Sequence, residues 1–202
     1  MASNCSTSKL IRVSNQTSLA GHPEVVERLT DFYNQWWSEL EPTFSDSAAI
    51  YLDHPNENPA RLTSHDWITT GSTPWNQRHI REATTGDKNT GFWNVNVVAN
   101  GDYEIRLRRW PQEADQPIDA SLPAGKPMPG QAGFRTTPGV AIHPIKATIQ
   151  IANVTETIDV MPGAKEATFN VKLTAGKTRL AATFETADGA EYGAYYVYVR
   201  RK

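Results

Sequence analysis

Ala167-Thr168-Phe169-Asn170-Val171-Lys172-Leu173 places an apolar side chain at every second position, and Leu180, Ala182 and Phe184 repeat the pattern shortly afterwards. Alternation with a period of two marks a strand that buries one face and wets the other. Downstream, Tyr195, Val197 and Val199 alternate in the same way, with Asp188-Gly189 as the turn that joins them to Leu180–Phe184. Upstream lie Ile145/Ala147/Ile149/Ile151 and Thr157–Val160. Farther back, Trp93, Val95 and Val97 share one strand face, and Tyr103, Ile105 and Leu107 share another. Asn100-Gly101 stands between these last two, and the favoured two-residue turn needs positive φ at both central positions, so the spacing predicts a hairpin. Short alternating strands divided by turn residues predict a mainly β fold: two packed antiparallel sheets, a jelly-roll-like β-sandwich over residues 45–202.

Two stretches depart from this pattern. Residues 111–139 carry Pro111, Pro117, Pro123, Pro127, Pro129 and Pro138 with four glycines. Proline cannot donate to a ladder, so a long surface connection is expected there. Pro23 opens a helix, where its missing N–H does no harm and Glu24 complements the positive end of the dipole. Val26, Leu29, Tyr33, Trp36 and Leu40 then recur at spacings of 3, 4, 3 and 4, an apolar stripe on one face of a helix over 23–40. Pro42 ends the run. No helical pattern recurs after residue 44. The expected organisation is a flexible lead-in over 1–22, a helical segment over 23–44 and the sandwich.

With 202 residues, 20 Lys+Arg against 22 Asp+Glu and a net charge of −2, bulk electrostatic attraction to nucleic acid or an anionic membrane is excluded as the main driving force. One cysteine excludes an intrachain disulfide framework and a Cys-based zinc cage. No apolar run approaches the roughly 20 residues that cross a bilayer. Met-Ala-Ser-Asn-Cys-Ser lacks the basic-then-apolar order of an export signal, so the sequence leaves the compartment open.

Few residues suggest chemistry. Cys5 sits in the polar run Cys5-Ser6-Thr7-Ser8-Lys9, which reads as an inert thiol, and no nucleophile elbow or phosphate-cradling loop is present. Asp53, His54, His65, Asp66 and His79 lie in loops at spacings that match no compact metal-ligand pattern, so no metal site is expected. Trp67 and Trp75 fall in the irregular 60–80 stretch beside His65, Asp66 and Gln77. Flat rings flanked by polar groups suit sugars, the ring covering C–H faces while the polar groups meet hydroxyls. The same indoles would equally fill a gap between helix and sandwich. Arg106, Arg108, Arg109, Arg200 and Arg201 form two basic patches, able to grip a sulfate or carboxylate or to pair with Glu104 and Asp102 on a solvated face. Asn4, Asn15 and Asn153 open N-glycosylation patterns, which matter in a eukaryotic secretory setting.

His22-Pro23-Glu24-Val25-Val26-Glu27-Arg28-Leu29 with Tyr33-Asn34-Gln35-Trp36-Trp37 resembles the C-terminal region of bacterial sulfatases of the arylsulfatase type. So do Asn58–Trp67, Pro74-Trp75-Asn76-Gln77, Gly91-Phe92-Trp93, Gly101-Asp102-Tyr103, Leu107–Pro111 and Gly193–Val199, in that order along the chain. The resemblance implies descent from a sulfate-ester hydrolase whose formylglycine nucleophile and calcium ion sit in a preceding catalytic domain. Cys5-Ser6-Thr7-Ser8-Lys9 lacks the proline or alanine and the arginine of the formylglycine motif, so no catalytic residue, metal or cofactor is expected in this chain. The resemblance thus implies a C-terminal accessory domain, inactive alone, that packs on a sulfatase catalytic domain and lends His65, Asp66, Trp67, Trp75 and Gln77 to the rim of a substrate pocket. Full-length relatives of this kind are usually exported. Two other readings stand beside it: a stand-alone module that binds sulfated or neutral carbohydrate, and a structural domain that forms homodimers through the helix at 23–40.

Overall fold

The computed structural model describes residues 21–45, 48–71, 73, 77–83, 90–126, 130 and 137–202. Residues 1–20 of the expected lead-in, with Asn4, Cys5 and Asn15, and Trp75 lie outside the described residues. The chain divides into two compact units, Met1–Ser47 and Ala48–Lys202.

In the first unit, helix α1 (Pro23–Leu40) occupies the expected span, with proline in its first turn and Glu24 beside it. It passes into a 3₁₀ turn over Glu41–Thr43 that contains Pro42. No residue of α1 is buried. Its aromatic residues pack along the helix: Tyr33 stacks on Trp37 with centroids 5.9 Å apart, and Phe44 meets Trp37 edge-on at 5.2 Å. Among the described residues no helix is long and apolar enough to cross a membrane.

The second unit is a β-sandwich. Sheet 1 contains β1 (Ile50–Leu52), β3 (Phe92–Val97), β8 (Gly176–Thr186), β5 (Pro144–Ile151) and β6 (Val154–Asp159) in that order, with β9 (Glu191–Gly193) also paired to β8. Sheet 2 runs β2 (Ala60–Thr63), β10 (Tyr196–Arg201), β4 (Gly101–Arg108) and β7 (Ala167–Leu173). Pairing is antiparallel except between β1 and β3, which run parallel. Trp93, Val95, Ile149, Leu180 and Phe184 from sheet 1 meet Leu62, Tyr103, Ile105, Phe169 and Val197 from sheet 2 in a dry core. Each buried residue of this size contributes about 1.5–3 kcal/mol relative to exposure.

The pairing corrects several expectations. β3 and β4 belong to different sheets, so Asn100-Gly101 does not close a hairpin. The link crosses the sandwich beside the parallel link from β7 to β8: Asn100 Oδ1 accepts the Ala175 amide at 2.7 Å, and the Tyr103 hydroxyl donates to the Ala99 carbonyl at 2.7 Å. Asp188-Gly189 does turn a hairpin, with Gly189 at φ +81°, but it joins β8 to the short β9. Residues 194–195 then carry the chain across to β10 in sheet 2. Ile145 is 45% exposed because the ladder slips between Pro144 and Lys146, which turns it out of the alternation.

A second helix, α2 (Gln77–Glu82), also contradicts the expectation of no helix beyond residue 44. Six residues are too few to display a 3.6-residue period, and the segment is stabilised by contacts instead. Ile80 is buried, and Arg78 Nε lies 2.6 Å from Glu82 one turn on. The connection over 111–139 is more than a surface run. Ile118 is buried, and Leu122 and Gly139 exchange backbone hydrogen bonds. Arg109, fully buried, gathers this region: its guanidinium donates to the carbonyls of Val140 at 2.6 Å, Ile80 at 3.4 Å and Ala120 at 3.4 Å, and stacks over Trp110 at 4.4 Å. Burial pulls its pKa down to about 10. It remains a cation at neutral pH and ties α2 to both arms of the proline-rich connection.

Candidate functional site

Strand β8 alternates. Leu180, Ala182 and Phe184 point into the core, so Lys177, Arg179, Ala181, Thr183 and Glu185 face outward. Register places Phe92 and Gln150 on either side of Ala181, Thr148 beside Thr183, and Asn94 beside Arg179. β8 is too long for one neighbour. β3 flanks it only as far as Ala181, and β9 takes over at Thr183. Where the neighbour changes, a depression of about 310 Å³ opens, lined by Thr90, Gly91, Phe92, Thr148, Gln150, Thr183, Glu185 and Glu191 over a floor of Ala181 and Ala182. A second hollow of about 480 Å³ shares Phe92, Gln150 and Ala181 with it and reaches Thr178 and Arg179. Together they form a trough along the outer face of sheet 1.

The walls of the trough are held in place. The hydroxyls of Thr148 and Thr157 lie 2.9 Å apart, a cross-strand hydrogen bond. Ile68 and Phe92 exchange backbone bonds at 2.8 and 3.1 Å, pressing residues 67–68 against 91–92. A Cβ on Gly91 would stand 2.8 Å from the Trp67 Cβ, so glycine is required where the wall meets the core. Arg179 lies with its guanidinium carbon 4.5 Å from the centroid of the Phe92 ring. At the other end Glu185 has Glu191 opposite it on β9 and Lys146 opposite it on β5. The surface therefore offers hydroxyls, an amide, carboxylates and a cation around small apolar groups.

Three of the residues expected at a rim, His65, Asp66 and Trp67, are described. His65 and Asp66 are exposed on a 3₁₀ turn over Ser64–Asp66, where the Thr63 hydroxyl donates to Asp66 Oδ2 at 3.3 Å. Trp67, the next residue, turns inward. It is 5% exposed and packs on Trp93 and Tyr195, each with centroids 5.6 Å away, so it offers no face to a ligand. It belongs to the core of the sandwich itself. Burial beside it pushes the Tyr195 hydroxyl up to about 12. Gln77 begins α2, and its side chain and all of Trp75 lie outside the described residues. None of His65, Asp66 and Trp67 lines the trough.

The basic patches are paired internally. Arg106 and Arg108 both reach Glu166, at 3.5 and 3.1 Å, Arg200 meets Glu104 at 3.2 Å, and Arg201 meets Asp53 at 2.9 Å. The face is less solvated than expected: Arg108 and Arg109 are buried, and Gln112 of the proline-rich connection donates its amide to the Tyr198 hydroxyl over it. Asp53 is thereby engaged, His54 Nδ1 accepts the Asn56 amide at 3.2 Å, and His79 lies on α2. Among the described residues no three His, Cys, Asp or Glu side chains gather into a cluster that could hold a metal ion. Asn153 of the third glycosylation pattern is exposed in the turn between β5 and β6.

In the sequence the trough residues occupy the polar half of alternating strands, which reads as an ordinary wet face. The available signal was Ala181-Ala182 in the middle of β8, small residues where bulk is usual.

No family model and no curated protein matches the chain. Among solved structures it is similar to a ruminal GH26 endo-β-1,4-mannanase (14% identity, TM-score 0.37), covering 71% of this chain and 26% of the enzyme's. It is also similar to a family 35 carbohydrate binding module from Clostridium thermocellum (18% identity, TM-score 0.35), covering 71% of this chain and 98% of the module. A third is a carbohydrate binding module from the Cellvibrio mixtus lichenase 5A, determined with cellotriose (13% identity, TM-score 0.32), covering 72% and 98%. None of these three is a sulfatase.

Proposed function

We propose that the chain is a carbohydrate-binding β-sandwich module that holds a saccharide along the outer trough of sheet 1. The observation that supports this most is the trough's lining. Thr148, Thr183 and Gln150 supply donors and acceptors, while Ala181 and the edge of Phe92 leave apolar ground for the C–H faces of a pyranose. A shallow, rigid strand surface suits an extended polymer, whose hydroxyls meet groups that are already fixed and therefore cost little further ordering. The surface binds and does not transform.

The role as a sulfatase accessory domain adds a catalytic partner to the same module and rests on the order of sequence segments between His22 and Val199 alone. The test of the module itself is titration calorimetry with cellohexaose, mannohexaose and xylohexaose. At least one should bind, and Thr183→Arg, which fills the trough from an outward position, should abolish that binding with the melting midpoint unchanged. Absence of binding to every member of the panel would overturn the proposal, as would binding that survives Thr183→Arg.

A further inference from the structure

Every other arginine of the sandwich among the described residues is occupied. Arg61 pairs with Glu113, Arg78 with Glu82, Arg106 and Arg108 with Glu166, Arg200 with Glu104 and Arg201 with Asp53, while Arg81 and Arg109 donate to carbonyls. Arg179 differs. It is exposed, it lines the trough, and among the described residues it has neither an ion pair nor a hydrogen bond, only the Phe92 ring 4.5 Å beneath it. The ring holds the guanidinium plane in position without using its N–H fork, which leaves the donors free for a planar or tetrahedral anion. Lys177, two residues earlier on the same outward row, adds a second positive charge, and Asn94 and Asn96 stand opposite the two cations on β3. The row ends in the opposite sign at Glu185, with Glu191 opposite it on β9 and Lys146 on β5, a net charge of −1 across the three. Arg179 and Glu185 are six steps apart along the strand, about 20 Å at 3.3–3.4 Å per residue.

We infer that the trough selects a saccharide carrying an anionic group, a carboxylate or a sulfate ester, at one end, and that Arg179 is the residue that reads it. This rests on the carbohydrate reading above and adds direction to it. The anionic end lies over Arg179 and Lys177, and the neutral remainder runs toward Thr183. A polymer charged at every residue would meet Glu185 and Glu191 and be repelled.

The test uses the full chain and two matched series, cellotetraose and mannotetraose, each as the neutral sugar, oxidised to a carboxylate at C6 of its terminal residue, or sulfated at that C6. In at least one series an acidic member should bind ten-fold or more tightly than its neutral parent at low salt, with the advantage shrinking as salt rises. Which acidic member gains more identifies the anion. Arg179→Gln should bring the acidic sugar down to the affinity of its neutral parent, and Arg179→Lys should retain part of the advantage, because charge survives where the fork does not. Equal affinity for neutral and acidic members, or an advantage untouched by Arg179→Gln, would overturn this inference and leave the carbohydrate reading standing. Absence of binding across both series and the neutral hexaoses would end both.

Discussion

On sheet 2, Arg106, Arg108 and Arg200 meet Glu104 and Glu166 at 3.1 to 3.7 Å, whereas on sheet 1 Arg179 lies over a phenyl ring with no carboxylate against it among the described residues. The two faces belong to one sandwich, so the difference arises from register. Glu104 and Arg106 lie two apart on β4 and share a face, and Arg200 stands opposite Glu104 on β10. Glu166, just before β7, reaches both neighbouring guanidinia. On β8 the nearest carboxylate in the same row is Glu185, beyond ion-pair range. A face whose charges satisfy each other is part of the scaffold, whereas Arg179 keeps its N–H donors unpaired among the described residues.

Substitutions can break this contrast in a graded way. The largest effect is expected from Arg109→Met, at the end of β4, which removes the donor shared by the carbonyls around residues 80, 120 and 140 and leaves buried oxygens unpaired. The loss should be about 3–5 kcal/mol, read as a lowered urea midpoint. Glu166→Gln comes next. It leaves the buried Arg108 guanidinium without its countercharge and should cost about 2 kcal/mol, less than a fully buried pair because Glu166 is itself partly exposed. That variant should also make sheet 2 retain inorganic sulfate that the parent protein does not, measured by the sulfate dependence of its melting midpoint. Gly91→Ala, forced against the Trp67 Cβ, should cost about 1–3 kcal/mol by thermal melting. The smallest effect is expected from Arg179→Gln, within 0.5 kcal/mol of the parent by the same measurement, because no partner is lost. A large destabilisation there would show that Arg179 belongs to the scaffold after all and erase the distinction between the faces.

How much of this was legible without coordinates differs sharply between levels. The alternation at Trp93/Val95/Val97, Tyr103/Ile105/Leu107 and Ala167–Leu173 gave the strands and their buried faces, and the stripe from Val26 to Leu40 gave α1 with its ends. The candidate site was scarcely legible. His65, Asp66, Trp67, Trp75 and Gln77 read as a rim because polar and aromatic groups fall together in an irregular stretch, yet one turn sends His65 and Asp66 to solvent and Trp67 under Trp93. The arginines near 106–109 and 200–201 drew attention because they cluster along the chain, and that same closeness lets their sheet supply carboxylates to most of them.

Sequence alone therefore determined the longer alternating strands, the dry face of each apart from Ile145, and a helix over 23–40, while the short strands β2 and β9 and helix α2 carry no period that marks them. Those properties follow from side-chain periodicity within a few residues, where geometry is fixed by the backbone itself. Only the tertiary structure decided that Asn100-Gly101 crosses between sheets, that β8 exchanges β3 for β9 midway and so opens the trough, and which guanidinium is left without a carboxylate. Pairing of distant strands is set by the summed packing of a whole core, and the same alternating pattern is compatible with many partners until that core selects one.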